Sequence, residues 1–433
     1  VRAFQNTKQG QSVAVVGAGI SGLASAWLLS RRHRVTLFEA GDYLGGHTNT
    51  VDVTLDGHTA PVDTGFLVFN ERTYPNLIAM FDELGVASHA SDMSFSVSMD
   101  QGRMEWAGTN LNTVFAQRGN AFSPTFLGML RDIVRFNGAA RRHLAHAEST
   151  HCSLGDLLVA GNYGQPFQQH YLLPMAAAIW SCAAADVLRF PAATFLRFCL
   201  NHALLQIANR PQWRTVAGGG RAYVRRMTAA LGDIRLRTPV RAIRRDGRDD
   251  GGVSVMTDEG TSRFDALVMA THAPDTLRML ADASDAEREV LGAVRYAPNV
   301  AILHTDPTLL PRRPRVWSAW NYLGGQRDET SRAVCVSYLV NQLQPLPFRT
   351  PVVVTLNAFR EPAPGTELRR FHYQHPLFDL QAIAAQRALP ALQGERRTWY
   401  AGAWTGYGFH EDGLKSALRV AGDFGVLPAW ARL

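Results

Sequence analysis

Apolar and polar positions fall into distinct blocks along this 433-residue chain. Ser12 to Val16 (SVAVV) is a continuous apolar run of strand length. It leads directly into Gly17-Ala18-Gly19-Ile20-Ser21-Gly22, after which Leu23 to Leu29 carries a helical pattern that stops at Arg31-Arg32. Arg34 to Phe38 (RVTLF) then alternates as a strand and ends at Glu39. From about Tyr74 to Gln212 the pattern is mostly helical, with many large apolar side chains. Strand-like patterns return over Ile234 to Thr257, with a turn at Asp246 to Gly252, and over Phe264 to Ala270. Residues 295–360 read as further strands, and Thr398 to Val420 as a short strand, a glycine-rich loop and a helix.

Composition narrows the class. With 46% apolar and 19% charged residues the chain is ordinary globular material of two or three domains. The net charge of +7 comes almost wholly from arginine, because Lys8 and Lys415 are the only lysines. The four cysteines, Cys152, Cys182, Cys199 and Cys335, form no CxxC pair, so neither a metal site nor a disulfide framework is expected. The stretch before Val13 is mostly polar and holds no apolar signal-peptide core, and Tyr171 to Leu188 contains Pro174 and Asp186 and falls short of the ~20 apolar residues of a membrane span. A cytoplasmic protein is expected, with peripheral contact at the inner membrane as an option.

The first block carries chemistry. A dinucleotide's pyrophosphate needs backbone N–H donors at a helix N-terminus, free of side chains. Gly17 permits the tight turn, Gly19 the approach of the diphosphate and Gly22 close helix–strand packing, with Ile20 and Ser21 opening the helix. Glu39, 17 residues after Gly22 and followed by Ala40, is placed to accept hydrogen bonds from ribose hydroxyls. Ala217-Gly218-Gly219-Gly220 lacks the spacing of a second such fingerprint, so electrons are expected to enter from the substrate and not from a second nucleotide.

Several further segments resemble the FAD family that includes flavin amine oxidases, phytoene desaturases and protoporphyrinogen oxidases. Gly45-Gly46-His47 resembles its second diglycine turn, and Asp63-Thr64-Gly65-Phe66 the segment that follows. Thr238 to Ile243, with Val240, looks like the strand whose backbone meets the adenine, and Ala270-Thr271 like the turn that ends the next apolar strand. Tyr400 to Trp404, with Gly402 and Ala403, and then Asp412, Gly413, Leu414 and Ser416 resemble the segment that closes over the ribitol and aims a helix at the flavin. Ala403 stands where these families often carry an acidic residue. The closest form is a bacterial group of amine-oxidase-like flavoproteins. Its matching segments here are Leu173 to Ser181, Asn201 to Leu205, Arg210 to Val216 and Gly406 to Gly413. The resemblance implies non-covalent FAD, a lipid or other small-molecule substrate, a link to fatty-acyl desaturation and a lipid methyltransferase as partner.

The same resemblance makes Gly406 to Gly413 the catalytic face, with Tyr407, Phe409, His410 and Glu411 in reach of substrate. His410 suits a proton acceptor, or it orders the loop with Glu411 while Asp412 caps the last helix. His47 has the same two readings. The flavin-side lysine common in amine oxidases has no counterpart in the expected part of the chain, which disfavours ordinary amine oxidation. The apolar positions of Tyr171 to Ser181 and Phe195 to Ile207 fit core packing or an acyl tunnel. Nine arginines between Arg221 and Arg248 fit a solvated face or contact with an anionic membrane. No nucleic-acid-binding motif is recognisable.

The expected fold is α/β: a two-domain FAD-binding fold, Rossmann-like and of glutathione-reductase type, with an inserted mixed α+β substrate domain. The FAD domain is expected from residues 1–75, 212–275 and 395–433, and the substrate domain from 76–211 and 276–394. The expected reaction is FAD-dependent dehydrogenation of an apolar substrate by a fatty-acyl or lipid desaturase. The alternatives are a flavin amine oxidase, a non-redox flavin mutase and a flavin-binding accessory protein of a lipid-modifying enzyme.

Overall fold

The computed structural model describes residues 10–180, 183–206, 210–246, 251–324 and 334–433. Lys8, Ser181, Cys182, Ile207 and Arg248, and part of the Asp246 to Gly252 turn, lie outside the described residues. A five-stranded parallel sheet forms the base, in the order Asp233–Arg235, Arg34–Phe38, Ser12–Val16, Ala266–Met269, Thr398–Tyr400. Its central strand is apolar from Val13 to Val16 because both faces are covered there. Val13 and Val15 join a core with helices Ile20–Leu29 and His410–Asp423, while Ala14 and Val16 join a core with the antiparallel strands Val240–Arg245, Val253–Thr257 and Gly260–Phe264. Gly22 explains the tight strand–helix turn: a Cβ there would lie 1.8 Å from the Gly17 carbonyl oxygen.

A seven-stranded sheet forms the second unit, in the order Glu367–Pro376, Tyr296–His304, Val353–Leu356, Cys335–Leu339, Trp320–Gly324, Phe95–Met99, Met104–Ala107. Helices Pro124–Thr150, Leu173–Trp180 and Ala192–Asn201 share its core. Phe95–Met99 and Met104–Ala107 thus correct the mainly helical reading of the middle of the chain.

The units divide differently from the expected boundaries. Helix Pro75–Leu84 sends Leu77, Met80 and Phe81 into the same core as Leu414, Ala417 and Tyr223, so it belongs with the dinucleotide unit. Helices Ala273–Met279, Asp285–Gly292 and Leu380–Ala388 cover the sheet's other face through Ala273, Leu291 and Ala385. A buried ion pair fixes that layer: the fully buried Arg245 guanidinium bonds Glu287 and Asp282, and the Tyr400 hydroxyl donates to Glu287 at 2.5 Å. Burial acts to raise the Glu287 carboxyl, but the hydrogen bonds from Arg245 and Tyr400 outweigh it and hold the pKa down at about 2.

Candidate active site

A cavity of about 610 Å³ lies between the two units. Gly17, Gly19, Ile20, Ser21, Glu39, Ala40, Gly45, Gly46, His47, Thr64, Gly65, Phe66, Val240, Ala270, Thr271, Gly402 and Ala403 all line it, as do Tyr407, Phe409 and His410. Segments far apart in sequence meet here because the carboxyl ends of Ser12–Val16, Arg34–Phe38 and Ala266–Met269 open onto one edge of the parallel sheet. Gly19 precedes helix Ile20–Leu29, whose N-terminus has no side-chain cap and no acidic residue in its first turn. A Cβ at Gly19 would meet nothing within 4 Å, so the chain itself does not demand glycine there. The Glu39 carboxylate accepts from the Ala18 N–H at 2.8 Å and the Gly41 N–H at 2.7 Å, which holds it at the strand end.

Gly22, Asp412, Gly413, Leu414 and Ser416 stand behind the cavity and not on it. Gly413 lets the two helices touch, since a Cβ there would lie 2.7 Å from Ile20 Cγ2. Ser416 Oγ donates to the Gly413 carbonyl at 2.6 Å and accepts from the Gly402 N–H at 2.9 Å, tying the loop to the helix. Leu414 is fully buried in the core of the parallel sheet. Asp412 accepts from the Phe409 N–H at 3.0 Å; it sits in the helix's first turn, and Phe409 occupies the cap position expected for Asp412.

Two of the expected catalytic residues are placed differently from the expectation. Glu411 points away from the cavity: its carboxylate accepts from the Asn76 N–H at 3.1 Å, Asn76 Nδ2 at 2.7 Å and the Leu77 N–H at 3.0 Å. It satisfies the free donors at the start of helix Pro75–Leu84, so its role is to cap. His410 does line the cavity, but its Nε2 is held by Thr48 Oγ1 at 2.8 Å and the Tyr223 hydroxyl at 3.0 Å. Its ring stacks on Phe66 with centroids 3.7 Å apart. Burial lowers its pKa to about 3, so the imidazole is neutral and a poor proton acceptor. Tyr407 and Phe409 border Phe198, the latter stacked on it at 4.9 Å.

His47 is part of the cavity wall. Burial, and then the neighbouring His375, His272 and His410, push its pKa well below the ordinary range. Its ring stacks on Tyr373 at 4.9 Å, and its buried Nε2 has no partner within the chain. Tyr373 and His375, on the edge strand Glu367–Pro376, and Trp320 and Tyr338 were not foreseen as cavity residues, whereas Trp404 falls in the Tyr400 to Trp404 segment expected over the ribitol. Isolated aromatic residues in strands carry no motif; the only available signal was their alternation onto one sheet face.

The model of the flavin containing amine oxidoreductase family matches residues 20–423, and the chain belongs to this family. It is similar to a carotenoid phi-ring synthase of Streptomyces griseus, 30% identical over 71% of this chain and 60% of that protein. The chain spans about 60% of the length of the curated relatives it matches. Among solved structures, its fold is similar to a CLA-producing fatty acid isomerase from P. acnes (TM-score 0.66, 16% identity, 95% and 98% of the two chains). It is also similar to a putrescine oxidase bound to putrescine (TM-score 0.65, 17% identity, 96% and 98%). These two likenesses are of fold.

FAD is the cofactor of this family, and the residues present fit it. The uncapped helix start and open Gly19 suit a pyrophosphate, and the unpartnered Nε2 of His47 and Nε1 of Trp404 lie in the cavity wall where a large heteroaromatic group would meet them. Ala403 stands after Gly402 where this family often carries an acidic residue, so no carboxylate is present at that position.

Proposed function

We propose that the chain dehydrogenates an apolar substrate, a fatty-acyl or related lipid chain. One observation carries this reading: the part of the cavity lining that the second unit supplies includes Met93, Ile179, Phe198, Leu204, Tyr338 and Leu356, all in or packed against that unit's apolar core. Among the described lining residues there is no lysine or arginine, and the two carboxylates, Glu39 and Asp275, belong to the dinucleotide unit. An ammonium ion against such a wall would lose hydration without a counter-charge, at a cost of several kcal/mol, whereas a hydrocarbon gains by leaving water. The names of two similar proteins, a carotenoid phi-ring synthase and a fatty acid isomerase, lend support.

FAD, when bound, supplies the acceptor for the two electrons of a C–H bond. The chain's own part is to orient and to exclude water. Phe198, Phe409 and Tyr407 press on one side of the substrate space, and the neutral His47, His375 and His410 put no charge into it. Among the described residues no helix is long and apolar enough to cross a membrane. The test is aerobic incubation of the flavin-loaded protein with phospholipids from a strain that methylates its acyl chains, followed by lipid mass spectrometry. Acyl chains lighter by two hydrogen atoms support the reading. Hydrogen peroxide from amines with every lipid unchanged would replace it with amine oxidation.

A further inference from the structure

Four large apolar side chains within residues 111–134 stand in water: Phe122 is 87% exposed, Leu111 76%, Val134 61% and Leu127 43%. They do not hang on a loose loop. Asn110 and Thr113 cap each other at 3.1 Å, and Arg118 bonds Asn112 Oδ1 at 2.6 Å and the Phe115 carbonyl at 3.1 Å. Phe115 packs on Phe126, and Ser123 caps the Phe126 N–H at 3.3 Å. The segment's shape is therefore fixed while Leu111 and Phe122 face outward. Leu127, Arg131 and Val134 follow at helical spacing on the outer face of Pro124–Thr150, opposite the buried Phe126, Met129 and Phe136.

Charge distinguishes this face from an ordinary apolar patch. Between Arg103 and Arg142 the sequence has six arginines and two carboxylates. Both carboxylates, Glu105 and Asp132, are buried, whereas Arg103, Arg118, Arg131, Arg135, Arg141 and Arg142 are exposed. Arg131 and Arg135 lie 3.6 and 3.3 Å from Asp132 and share that one carboxylate, while Arg103, Arg118, Arg141 and Arg142 form no salt bridge among the described residues. In the other basic run Arg221 pairs with Asp52, Arg235 with Asp233, Arg241 with Asp258 and Arg245 with Glu287. Four arginines of that run are thus each matched by a carboxylate of their own.

We propose that the face built from residues 110–142 docks on an anionic lipid bilayer, with Phe122 and Leu111 entering the acyl boundary and the arginines meeting headgroups. Cationic charge around exposed aromatic and aliphatic side chains matches a negatively charged leaflet at both levels. The layer's opposite side leads inward, since Pro124–Thr150 packs on Ala192–Asn201, whose Phe198 lines the cavity. Docking is independent of the chemistry and would stand even if the substrate were an amine.

The test is sedimentation of the flavin-loaded protein with vesicles of phosphatidylcholine containing about 30% phosphatidylglycerol, against vesicles of phosphatidylcholine alone. At least ~tenfold tighter binding to the anionic vesicles is expected, weakening with added salt. Phe122→Asp with Leu111→Asp, both highly exposed and so harmless to folding, should reduce binding ~tenfold or more, and Arg141→Glu with Arg142→Glu, both exposed on the same helix, should do likewise. Arg241→Glu should leave binding unchanged. Failure of the wild-type protein to sediment with anionic vesicles would overturn the proposal, as would binding lost through Arg241→Glu and not through Phe122→Asp. A dimer that Phe122→Asp dissociates, without vesicle binding, would assign the face to a second copy of the chain and overturn it equally.

Discussion

His410 and Thr48, 362 residues apart in sequence, are joined by a hydrogen bond of 2.8 Å from ring Nε2 to side-chain hydroxyl. Tyr223 completes the triangle, with its hydroxyl 2.5 Å from Thr48 Oγ1. The triangle locks the last helix to the diglycine turn beneath the cavity. A histidine in this setting, with its pKa lowered to about 3 by burial, stays neutral at any pH at which the protein would be assayed. Flavin reduction by substrate should therefore show no inflection near pH ~6.5 that His410→Gln abolishes. His410→Gln should lower thermal stability while retaining most of the reduction rate. Loss of such an inflection in the variant would restore His410 as the proton acceptor.

Glu411 makes a contrasting prediction. Because its carboxylate caps helix Pro75–Leu84 through Asn76 and Leu77, Glu411→Ala should cost about 1 to 2 kcal/mol of stability. Chemical denaturation measures that cost. The rate per bound flavin should change little, whereas a fall of ~100-fold or more would mark a catalytic acid or base.

The glycine turns separate folding from cofactor binding. Gly19→Ala adds a methyl into open space, so the cofactor-free protein should unfold at the wild-type temperature while affinity for FAD falls by ~tenfold or more. Gly22→Ala drives a Cβ against the Gly17 carbonyl and should destabilise the protein with or without FAD. Paired melting curves and flavin titrations distinguish the two.

Acid sensitivity should centre on Glu287. Its folded pKa of about 2 lies below its ordinary value of 4.5, so the folded state binds fewer protons than the unfolded one. The stability from this group is present in full above pH 4.5 and is lost as pH falls toward about 2. Glu287→Ala leaves Arg245 buried without its main partner and should cost about 3 to 5 kcal/mol at neutral pH, with a flatter acid limb. Melting temperatures of both proteins across this range check the sign.

The dinucleotide half was legible because local chemistry dictates it. Gly17, Gly19, Gly22 and Glu39 fall in one compact strand-turn-helix-strand stretch, and all of these but Gly22 line the cavity. The substrate half was not, because its wall is set by sheet register. Trp320 pairs with Tyr338 across antiparallel strands, and Tyr373 reaches His47 from an edge strand more than 300 residues away. Glu411 was misread for a related reason: a carboxylate in a loop beside the cavity looks the same in sequence whether it faces inward or caps a helix behind.

The most direct measurement is anaerobic mixing of the oxidised, flavin-loaded protein with long-chain phospholipids and, separately, with aliphatic and aromatic amines, following the flavin band near about 450 nm. Loss of the band with lipid and not with amine is the result the apolar cavity predicts. Rapid loss with amines, and none with any lipid, would contradict it.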